Sequence, residues 1–235
     1  MHITAIIPAR YASTRLPGKP LIKISGKTLI QHVFEAVVNT NLFHRIIIAT
    51  DNIDIYNHAI KINAETIMTS ERHLSGTDRI EEAARNINTD LIINVQGDEP
   101  FITKEPLINL IEVFKDNNIT TASLMTFGNK NEINNPNIVK VVCDNNSNAL
   151  YFSRSVIPFN RDSVDEAVFY RHIGVYAYRP EILKMFVKLP TGKLENLEKL
   201  EQLRLLENGY KIRMVLTDYK GIGIDTPEDL LQFTP

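Results

Sequence analysis

The stretch Ile3–Pro8, with the sequence ITAIIP, and the stretch Leu91–Val95, with the sequence LIINV, decide how this chain folds. Both are short and apolar throughout most of their length, which is typical of strands buried on both faces in a mostly parallel sheet. A polar loop follows each of them, Ala9–Pro20 in one case and Gln96–Pro100 in the other. Because ligands of such sheets bind at the carboxyl ends of the strands, we expect the two loops to share one site.

Helix and strand patterns alternate along most of the remaining chain. Between Leu29 and Val38, apolar residues recur at helical spacing. The further predicted elements are a strand Arg45–Thr50, a helix Asp54–Ile62, a strand His172–Tyr178, a helix from about Pro180, a helix Leu197–Asn208 ended by Gly209, a strand Lys211–Leu216 and a short helix after Thr226. This alternation predicts an α/β fold in which helices cover a mostly parallel sheet.

The segment from about Phe127 to Arg171 departs from that rhythm. Its Asn-rich turns separate strand-like pieces, and it has no strong helix pattern. We interpret residues 127–171 as an insertion within one domain spanning residues 1–235. The insertion is expected to carry an antiparallel hairpin or a dimer contact.

The composition is that of an ordinary globular protein, and it disfavours some classes of binding partner. Of the 235 residues, 43% are hydrophobic and 23% are charged, and the formal net charge is −2, which does not favour a general binder of nucleic acid or of a membrane surface. No apolar run approaches the ~20 residues that cross a bilayer, and no secretory signal pattern is found. The single cysteine, Cys143, excludes an internal disulfide and lies in a strand-like run that favours a buried thiol. We therefore expect a cytoplasmic protein with neither membrane nor nucleic-acid partners.

The loop Ala9–Pro20 contains three cations and two aliphatic hydroxyls. Binding a polyphosphate requires backbone N–H groups for its oxygens and Arg or Lys side chains for its charge. The loop is not a P-loop, because its Gly-Lys pair would need Gly and Ser or Thr where the chain has Ser13 and Pro20. On composition alone, a solvated basic turn is the alternative.

The loop sequence from Ile6 to Arg10 and from Leu16 to Leu21 resembles the signature of the cytidylyltransferases that activate 3-deoxy-D-manno-octulosonate (Kdo). Six further strings match in the same order: Ser75–Arg79 (SGTDR), Val95–Pro100 (VQGDEP), Tyr151–Ser155 (YFSRS), Arg171–Tyr176 (RHIGVY), Leu200–Arg204 (LEQLR) and Gly223–Asp229 (GIDTPED). The resemblance covers almost the whole chain. It implies a Rossmann-like nucleotidyltransferase (nucleotide-diphospho-sugar transferase) fold, with a mostly parallel mixed sheet flanked by helices and the smaller insertion. It also implies a homodimer formed through that insertion.

The same resemblance implies which residues bind CTP. Arg10, Ser13 and Lys19 are expected to hold the triphosphate, and the backbone of Pro8 and Ala9 is expected to lie near the base. The other residues implied at the nucleotide are Ser75, Gly76, Thr77, Arg79, Gln96 and Asp98. The implied catalytic residues are Arg10, Lys19, Asp98 and Asp225.

Asp98 and Asp225 are the candidate Mg²⁺ ligands. Each ends a strand-like run, and Mg²⁺ prefers a few carboxylates together with substrate phosphate oxygens. The resemblance assigns both residues to the metal. Helix capping is the alternative for each of them, and more so for Asp225, because Thr226, Pro227 and Glu228 follow it.

An acidic sugar requires a cation for its carboxylate and hydrogen-bond partners for its hydroxyls. The resemblance places five residues around Kdo: Arg154, His172, Tyr176, Glu201 and Gln202. Glu201 and Gln202 fall on the predicted helix Leu197–Asn208, where a Glu commonly faces solvent. His172 alone is equally typical of a core or edge histidine.

The implied reaction is attack by the anomeric hydroxyl of Kdo on the α-phosphorus of CTP, which gives CMP-Kdo and pyrophosphate for lipopolysaccharide biosynthesis. A related acid, such as 8-amino-Kdo or sialic acid, is the alternative sugar. A non-catalytic nucleotide-binding regulator is an alternative of another class, which loss of Lys19, Asp98 or Asp225 would favour. All three residues are present.

Overall fold

Strands and helices alternate along the chain much as the apolar pattern predicts. The computed structural model describes residues 1–12, 16–73, 75–129, 132–162, 168–221, 223–224 and 229. The strands are β1 Ile3–Ala9, β2 Lys23–Ile24, β3 Lys27–Thr28, β4 Arg45–Thr50, β5 Glu65–Met68, β6 Leu91–Asn94, β7 Thr121–Phe127, β8 Lys140–Cys143, β9 Ala149–Ser153, β10 Tyr170–Tyr178 and β11 Arg213–Leu216. The α-helices are α1 Leu29–Asn39, α2 Ile53–Lys61, α3 Gly76–Ala84, α4 Lys104–Glu112, α5 Pro180–Phe186, α6 Lys193–Glu198 and α7 Leu203–Glu207. The short helix predicted after Thr226 lies outside the described residues.

One sheet joins most of the strands, and its main path runs β11-β7-β10-β6-β1-β4-β5. Strand β1 pairs in parallel with β4 and β6, β4 pairs in parallel with β5, and β11 pairs in parallel with β7. Strand β10 is antiparallel to both β6 and β7, so every strand on this path except β10 runs in the same direction. The predicted mostly parallel mixed sheet is therefore confirmed.

The core lies on both faces of this sheet. Successive β1 side chains point to opposite faces, so Ile7 packs in one apolar cluster with Val33 of α1, and Ile6 packs in another with Ile80 of α3. All four side chains are fully buried, and each contributes about 1.5–3 kcal/mol relative to leaving it in water. Burial on both faces fixes β1 and β6, the strands whose ends carry the two polar loops.

The segment 127–171 holds the predicted antiparallel hairpin, which is formed by β8 and β9. Strand β8 also pairs with β10, where Val141 lies opposite Tyr170, so the hairpin continues the main sheet. Cys143 is in a strand as predicted but is only partly buried, and burial beside Asp144 raises the pKa of its thiol to about 11. The dimer contact stays a prediction.

The single helix predicted over Leu197–Asn208 is wrong. The chain forms α6 and α7 instead, separated by a turn over residues 199–202. Lys199 has a φ of 55°, in the left-handed region, and this conformation ends α6. Leu197 is 81% exposed, so the apolar spacing that begins there does not mark a single buried helix face. Gly209 follows α7 with a φ of 79° and stops it as predicted.

Within the described ranges, no helix has both the length and the apolar character needed to cross a membrane.

Candidate active site

The loops that follow β1 and β6 meet at one edge of the sheet. A Cβ atom on Gly97 would lie 2.8 Å from the Pro8 carbonyl oxygen, closer than such atoms approach one another. Glycine at this position therefore lets the two backbones touch. The first residues of β10 extend past the end of β6, because Tyr176 pairs with Asn94 and the strands run in opposite directions. The site is thus built from both parallel strand ends and from the start of β10.

An ion pair joins the two loops. The Lys19 Nζ atom donates a hydrogen bond of 2.7 Å to Asp98 Oδ2, and the two side chains are 13% and 29% exposed. Gly18, with a φ of 67°, turns the chain into the one-turn 3-10 helix Lys19–Leu21 that presents the lysine. The predicted phosphate and metal residues Lys19 and Asp98 are therefore in direct contact. Ser13 lies outside the described residues.

A cavity of about 180 Å³ lies between the end of β1 and the start of α3. Its lining includes the predicted CTP residues Pro8, Arg10, Ser75, Gly76, Arg79 and Gln96. Ser75 caps α3, because its Oγ accepts a hydrogen bond of 3.1 Å from the Asp78 backbone N–H. The N-terminus of a helix favours anions and polar groups, so this wall suits the polar edge of a nucleotide.

Arg79 lines this cavity, but its guanidinium forms hydrogen bonds within the protein. Its guanidinium donates to Asp51, at 2.5 Å, and to the Thr69 hydroxyl, and the residue is 2% exposed. Both partners follow strand ends, of β4 and β5 respectively. The contacts describe an arginine that ties α3 to the sheet edge, and a direct contact with CTP stays a prediction.

A second cavity of about 1000 Å³ opens beside the first. All five residues predicted around the sugar line it: Arg154, His172, Tyr176, Glu201 and Gln202. Asp98 and Thr77 line it as well. Gln96 and Glu201 belong to both cavities, so the two spaces adjoin.

Glu201 and Gln202 reach the cavities from the turn between α6 and α7. Glu201 Oε2 accepts a hydrogen bond of 2.7 Å from the Thr77 hydroxyl of α3, so the expected alternative of a solvated helix face is wrong. Gln202 is 8% exposed, and its Nε2 atom has no hydrogen-bond partner among the described residues. A buried donor of this kind is normally satisfied, which leaves it suited to a ligand.

His172 and Tyr176 form an aromatic wall of the larger cavity. The His172 Nε2 atom lies 3.0 Å from the Ser123 hydroxyl, and burial, with Arg171 beside it, lowers the pKa of the imidazole to about 3. His172 is therefore neutral at physiological pH. The Tyr176 hydroxyl is buried and lacks a hydrogen-bond partner of standard geometry within the described part of the chain. Burial holds the pKa of Tyr176 well above its ordinary value, so the hydroxyl remains a donor.

Arg154 supplies a positive charge to this cavity. Its Nε atom donates to the Glu198 carbonyl at 2.8 Å, and its Nη1 atom donates to the Pro136 carbonyl at 2.9 Å. These two hydrogen bonds fix the guanidinium plane. Both partners are carbonyl groups and neither is a carboxylate, so they leave the positive charge unneutralised. Because His172 is neutral, Arg154 is the better candidate for binding an acidic group.

The chain leading to Asp225 is attached to Asp98, although Asp225 itself lies outside the described residues. The Ile224 backbone N–H donates to the Asp98 carbonyl at 3.1 Å, and Ile224 is buried against Ile24 and Leu29. Hard oxygen donors at this place fit Mg²⁺. Among the described residues, no group of three or more His, Cys, Asp or Glu side chains converges as a metal cluster. The choice between metal ligand and helix cap for Asp225 stays open.

Sequence reasoning did not assign a role to the residues that hold this segment in place. The Tyr219 hydroxyl donates to Glu99 Oε2 at 2.7 Å, and Arg171 Nη2 donates to the Gly221 carbonyl at 2.7 Å. Burial and the Glu99 carboxylate raise the pKa of Tyr219. Glu99 follows Asp98 in the string Val95–Pro100, and Arg171 precedes His172 in the string Arg171–Tyr176. Tyr219 carries no such signal, because its contact with Glu99 spans 120 positions.

Comparisons with known proteins agree with this geometry. The sequence profile of the family described as Cytidylyltransferase matches residues 4–212. A protein of Flavobacterium johnsoniae named 3-deoxy-manno-octulosonate cytidylyltransferase is 50% identical, over 98% of this chain and 96% of that protein. The chain belongs to the family of 3-deoxy-manno-octulosonate cytidylyltransferases. It is an enzyme, a CTP-dependent nucleotidyltransferase, and the alternative of a non-catalytic regulator is set aside.

Two further proteins are similar to this cytidylyltransferase, one by its sequence and one by its solved structure. A protein of Shewanella pealeana named 8-amino-3,8-dideoxy-manno-octulosonate cytidylyltransferase is 46% identical, over 98% of this chain and 96% of that protein. A solved structure of CMP:2-keto-3-deoxy-manno-octonic acid synthetase complexed with CTP matches with a TM-score of 0.93 and 39% identity, over 99% of this chain and 96% of that one. The nucleotidyltransferase fold expected from the sequence is therefore confirmed.

Proposed function

We propose that this cytidylyltransferase transfers CMP from CTP to the anomeric hydroxyl of Kdo, giving CMP-Kdo and pyrophosphate, and so activates Kdo for lipopolysaccharide biosynthesis. The observation that carries the proposal is the pair of adjoining cavities, which share Gln96 and Glu201 and lie beside the Lys19–Asp98 pair. Two cavities of different size suit two substrates. Their junction suits the atoms that react.

The smaller cavity is assigned to the nucleotide. Its volume of about 180 Å³ and the polar groups at the start of α3 suit a pyrimidine ring, with Gln96 and Ser75 at its edge. From there the triphosphate would extend along the loop that begins at Arg10, toward Lys19. Arg10 is exposed at the cavity mouth, where its charge is available to phosphate oxygens.

Lys19 and Asp98 neutralise each other before substrate binds. A triphosphate presents several anionic oxygens, so it competes with the Asp98 carboxylate for the Lys19 ammonium. Lys19 then stabilises the charge that develops on the leaving pyrophosphate, and Asp98 becomes available to a cation. Bound by Asp98 and Asp225, Mg²⁺ would lower the repulsion between the phosphates and the attacking hydroxyl. Little covalent work falls to the protein beyond aligning two anionic substrates.

The larger cavity is assigned to the acidic sugar. Arg154 is proposed to bind the sugar carboxylate. Of the other candidates that line this cavity, His172 is neutral and Arg171 already pairs with Glu132. The buried Tyr176 hydroxyl and the Gln202 amide supply donors, and the Glu201 carboxylate supplies an acceptor, for the sugar hydroxyls. The Tyr176 hydroxyl and the Gln202 amide, which lack a hydrogen-bond partner of standard geometry among the described residues, would each gain one from the sugar.

We also propose that the enzyme is a homodimer and works in the cytoplasm, where its substrate CTP is used. Large apolar side chains are exposed on the segment 127–171, which is the expected dimer contact. They include Phe127 at 50%, Leu150 at 61%, Phe159 at 85% and Val168 at 52% exposure. Light scattering at micromolar concentration should give twice the chain mass of 26.7 kDa, and a monomer mass would refute the dimer.

Pyrophosphate release tests the function. It should be fast with CTP, Mg²⁺ and Kdo together, slow when Kdo is omitted, and weak when ATP or GTP replaces CTP. Equal turnover with a purine nucleotide would overturn the assignment of the smaller cavity. Because the Shewanella pealeana relative is named for the 8-amino sugar, the same assay compares the two sugars, and a preference for 8-amino-Kdo would replace Kdo as the substrate.

A further inference from the structure

Lys140 is a buried cation that the proposed reaction does not use. It is the first residue of β8, is 1% exposed, and lies between β9 and β10, opposite Ser153 and Arg171. A buried lysine normally pairs with a carboxylate or titrates to its neutral form. Here the Nζ atom donates instead to three backbone carbonyls: Asn135 at 3.1 Å, Ile138 at 2.7 Å and Arg154 at 2.5 Å.

These three bonds account for all three donors of the ammonium group. Two of the carbonyls belong to the loop before β8, and the third belongs to the residue that follows β9. The ammonium therefore joins the two outer ends of the hairpin. Asn135, Ile138 and Arg154 all line the larger cavity, so what Lys140 ties together is one wall of that cavity.

Glu198 holds Arg154 from the other side. Its Oε2 atom accepts the Arg154 backbone N–H at 2.9 Å, its Oε1 atom accepts the Ser153 hydroxyl at 2.6 Å, and its carbonyl accepts Arg154 Nε. The Lys140 ammonium thus binds the backbone carbonyl of Arg154, and the Glu198 carboxylate binds its backbone N–H. Charge-assisted hydrogen bonds are stronger than neutral ones, so this arrangement fixes the backbone from which the guanidinium extends.

We propose that Lys140 and Glu198 are positioning residues, which hold Arg154 and the 135–138 loop in the geometry that receives the carboxylate of the sugar. The inference rests on the proposed role of Arg154. Lys140 acts on Arg154 in two ways. It binds the Arg154 backbone carbonyl directly, and it holds the loop whose Pro136 carbonyl accepts a hydrogen bond from Arg154 Nη1. Burial and the Arg154 charge lower the pKa of Lys140, while Glu198 opposes that shift.

Steady-state kinetics of Lys140→Met and Glu198→Gln test the proposal. Met keeps the length of the side chain but removes the ammonium, so three buried carbonyls lose their donor. A misplaced binding group lowers productive binding, so the KM for Kdo should rise on the order of tenfold in both variants. The KM for CTP should change by less than about twofold, because the nucleotide cavity lies outside this wall.

Val141→Ala is the matched control for general damage to the hairpin. Val141 is the next residue of β8, is fully buried and contacts the apolar core, so its truncation also weakens the sheet. Its KM for Kdo should stay at the wild-type value. An equal rise in Val141→Ala would overturn the proposal, as would an unchanged KM for Kdo in Lys140→Met or Glu198→Gln that folds normally by circular dichroism. If Lys140→Met does not fold, Glu198→Gln decides alone.

Arg154→Ala separates failure of this inference from failure of the proposed function. If Arg154→Ala itself leaves the KM for Kdo unchanged, the carboxylate role of Arg154 is wrong and the positioning role falls with it. If Arg154→Ala raises that KM, Lys140→Met should add little in the Arg154→Ala background, since both changes remove one interaction. A full further rise in the double variant would show that Lys140 acts elsewhere and would overturn the proposal.

Discussion

On the nucleotide side, polar groups lie at the ends of two parallel strands, whereas on the sugar side they lie on β10, at the open end of the β8–β9 hairpin and on the turn between α6 and α7. The Lys19–Asp98 pair, on the first side, is partly exposed and joins two loops through a hydrogen bond of 2.7 Å. The Lys140 ammonium, on the second side, is buried and satisfied by three carbonyls. The comparison suggests that the nucleotide side rearranges its charges when substrate binds, while the sugar side is already in place.

The largest effect is expected at the proposed metal ligands. Asp98→Asn and Asp225→Asn keep the side-chain shape but each removes a hard anionic ligand. A metal ion supplies several kcal/mol of transition-state stabilisation, so turnover should fall by about 10³ in either variant. Because the two residues would serve one ion, the double variant should cost far less than the product of the single effects.

A Mg²⁺ titration of turnover, with circular dichroism as the folding control, measures this. Asn and Asp cap helices about equally well, so a capping role for Asp225 predicts near wild-type Mg²⁺ dependence in Asp225→Asn. That outcome would leave Asp98 as the sole metal ligand supplied by this pair.

Lys19→Ala should lower kcat by on the order of 10²–10³, because one charge partner of the reacting phosphates is lost. Its effect on folding should be small, since the side chain fills no apolar core. Lys27→Ala is the control: Lys27 is an exposed lysine of β3 that pairs with Glu35. Comparable losses of kcat in the two variants would show a general charge effect and would contradict the role of Lys19.

A Cβ atom at position 97 should separate the two strand ends that form the nucleotide side. Gly97→Ala places that atom 2.8 Å from the Pro8 carbonyl, and overpacking of this kind costs about 1–3 kcal/mol of unfolding free energy. The KM for CTP should rise as well. In Gly174→Ala, the new Cβ would meet Gln96 Cγ at an ordinary 3.7 Å, so urea unfolding and the KM for CTP should change less. The reverse order would refute the close approach.

The smallest effect concerns His172 and the pH dependence of stability. The folded imidazole has a pKa of about 3, below the unfolded value near 6.5, so between these values the unfolded state binds more protons. The stability that a neutral His172 contributes is therefore present above about pH 6.5 and is lost as the pH falls. Urea unfolding at about pH 5 should show about 1–2 kcal/mol less acid destabilisation in His172→Gln than in wild type. Identical pH profiles would show that His172 is not held neutral in the fold.

The nucleotide side was predictable from sequence because its signals are local. A buried strand is marked by its own apolar residues, and the polar loop that follows it marks the sheet edge. Lys19, Asp98 and Gln96 all lie in such loops. The structure brings Gln96 and Asp98 to the adjoining cavities and bonds Lys19 to Asp98. The position of Ser13 and Asp225 stays a prediction, because both lie outside the described residues.

The sugar side was less predictable because its determinants are contacts between distant segments. The apolar spacing from Leu197 onward continues through the turn, and Lys199 lacks the glycine or asparagine signal that marks a left-handed residue. Lys140 sits in an apolar strand pattern that gives no sign of its three carbonyl partners. The direction of β10 is likewise set by its pairing with β6 and β7, which no local pattern records.

Calorimetric titration of CTP in the absence of sugar tests the division into two sides most directly. Arg10 lines the nucleotide cavity and Arg154 lines the sugar cavity, so Arg10→Ala and Arg154→Ala remove equal charge from different sides. A hydrogen bond to a charged group contributes about 1.5–3 kcal/mol, so Arg10→Ala should weaken CTP binding about tenfold to a hundredfold. Arg154→Ala should bind CTP as tightly as wild type. Equal losses of CTP affinity in the two variants would contradict separate nucleotide and sugar cavities.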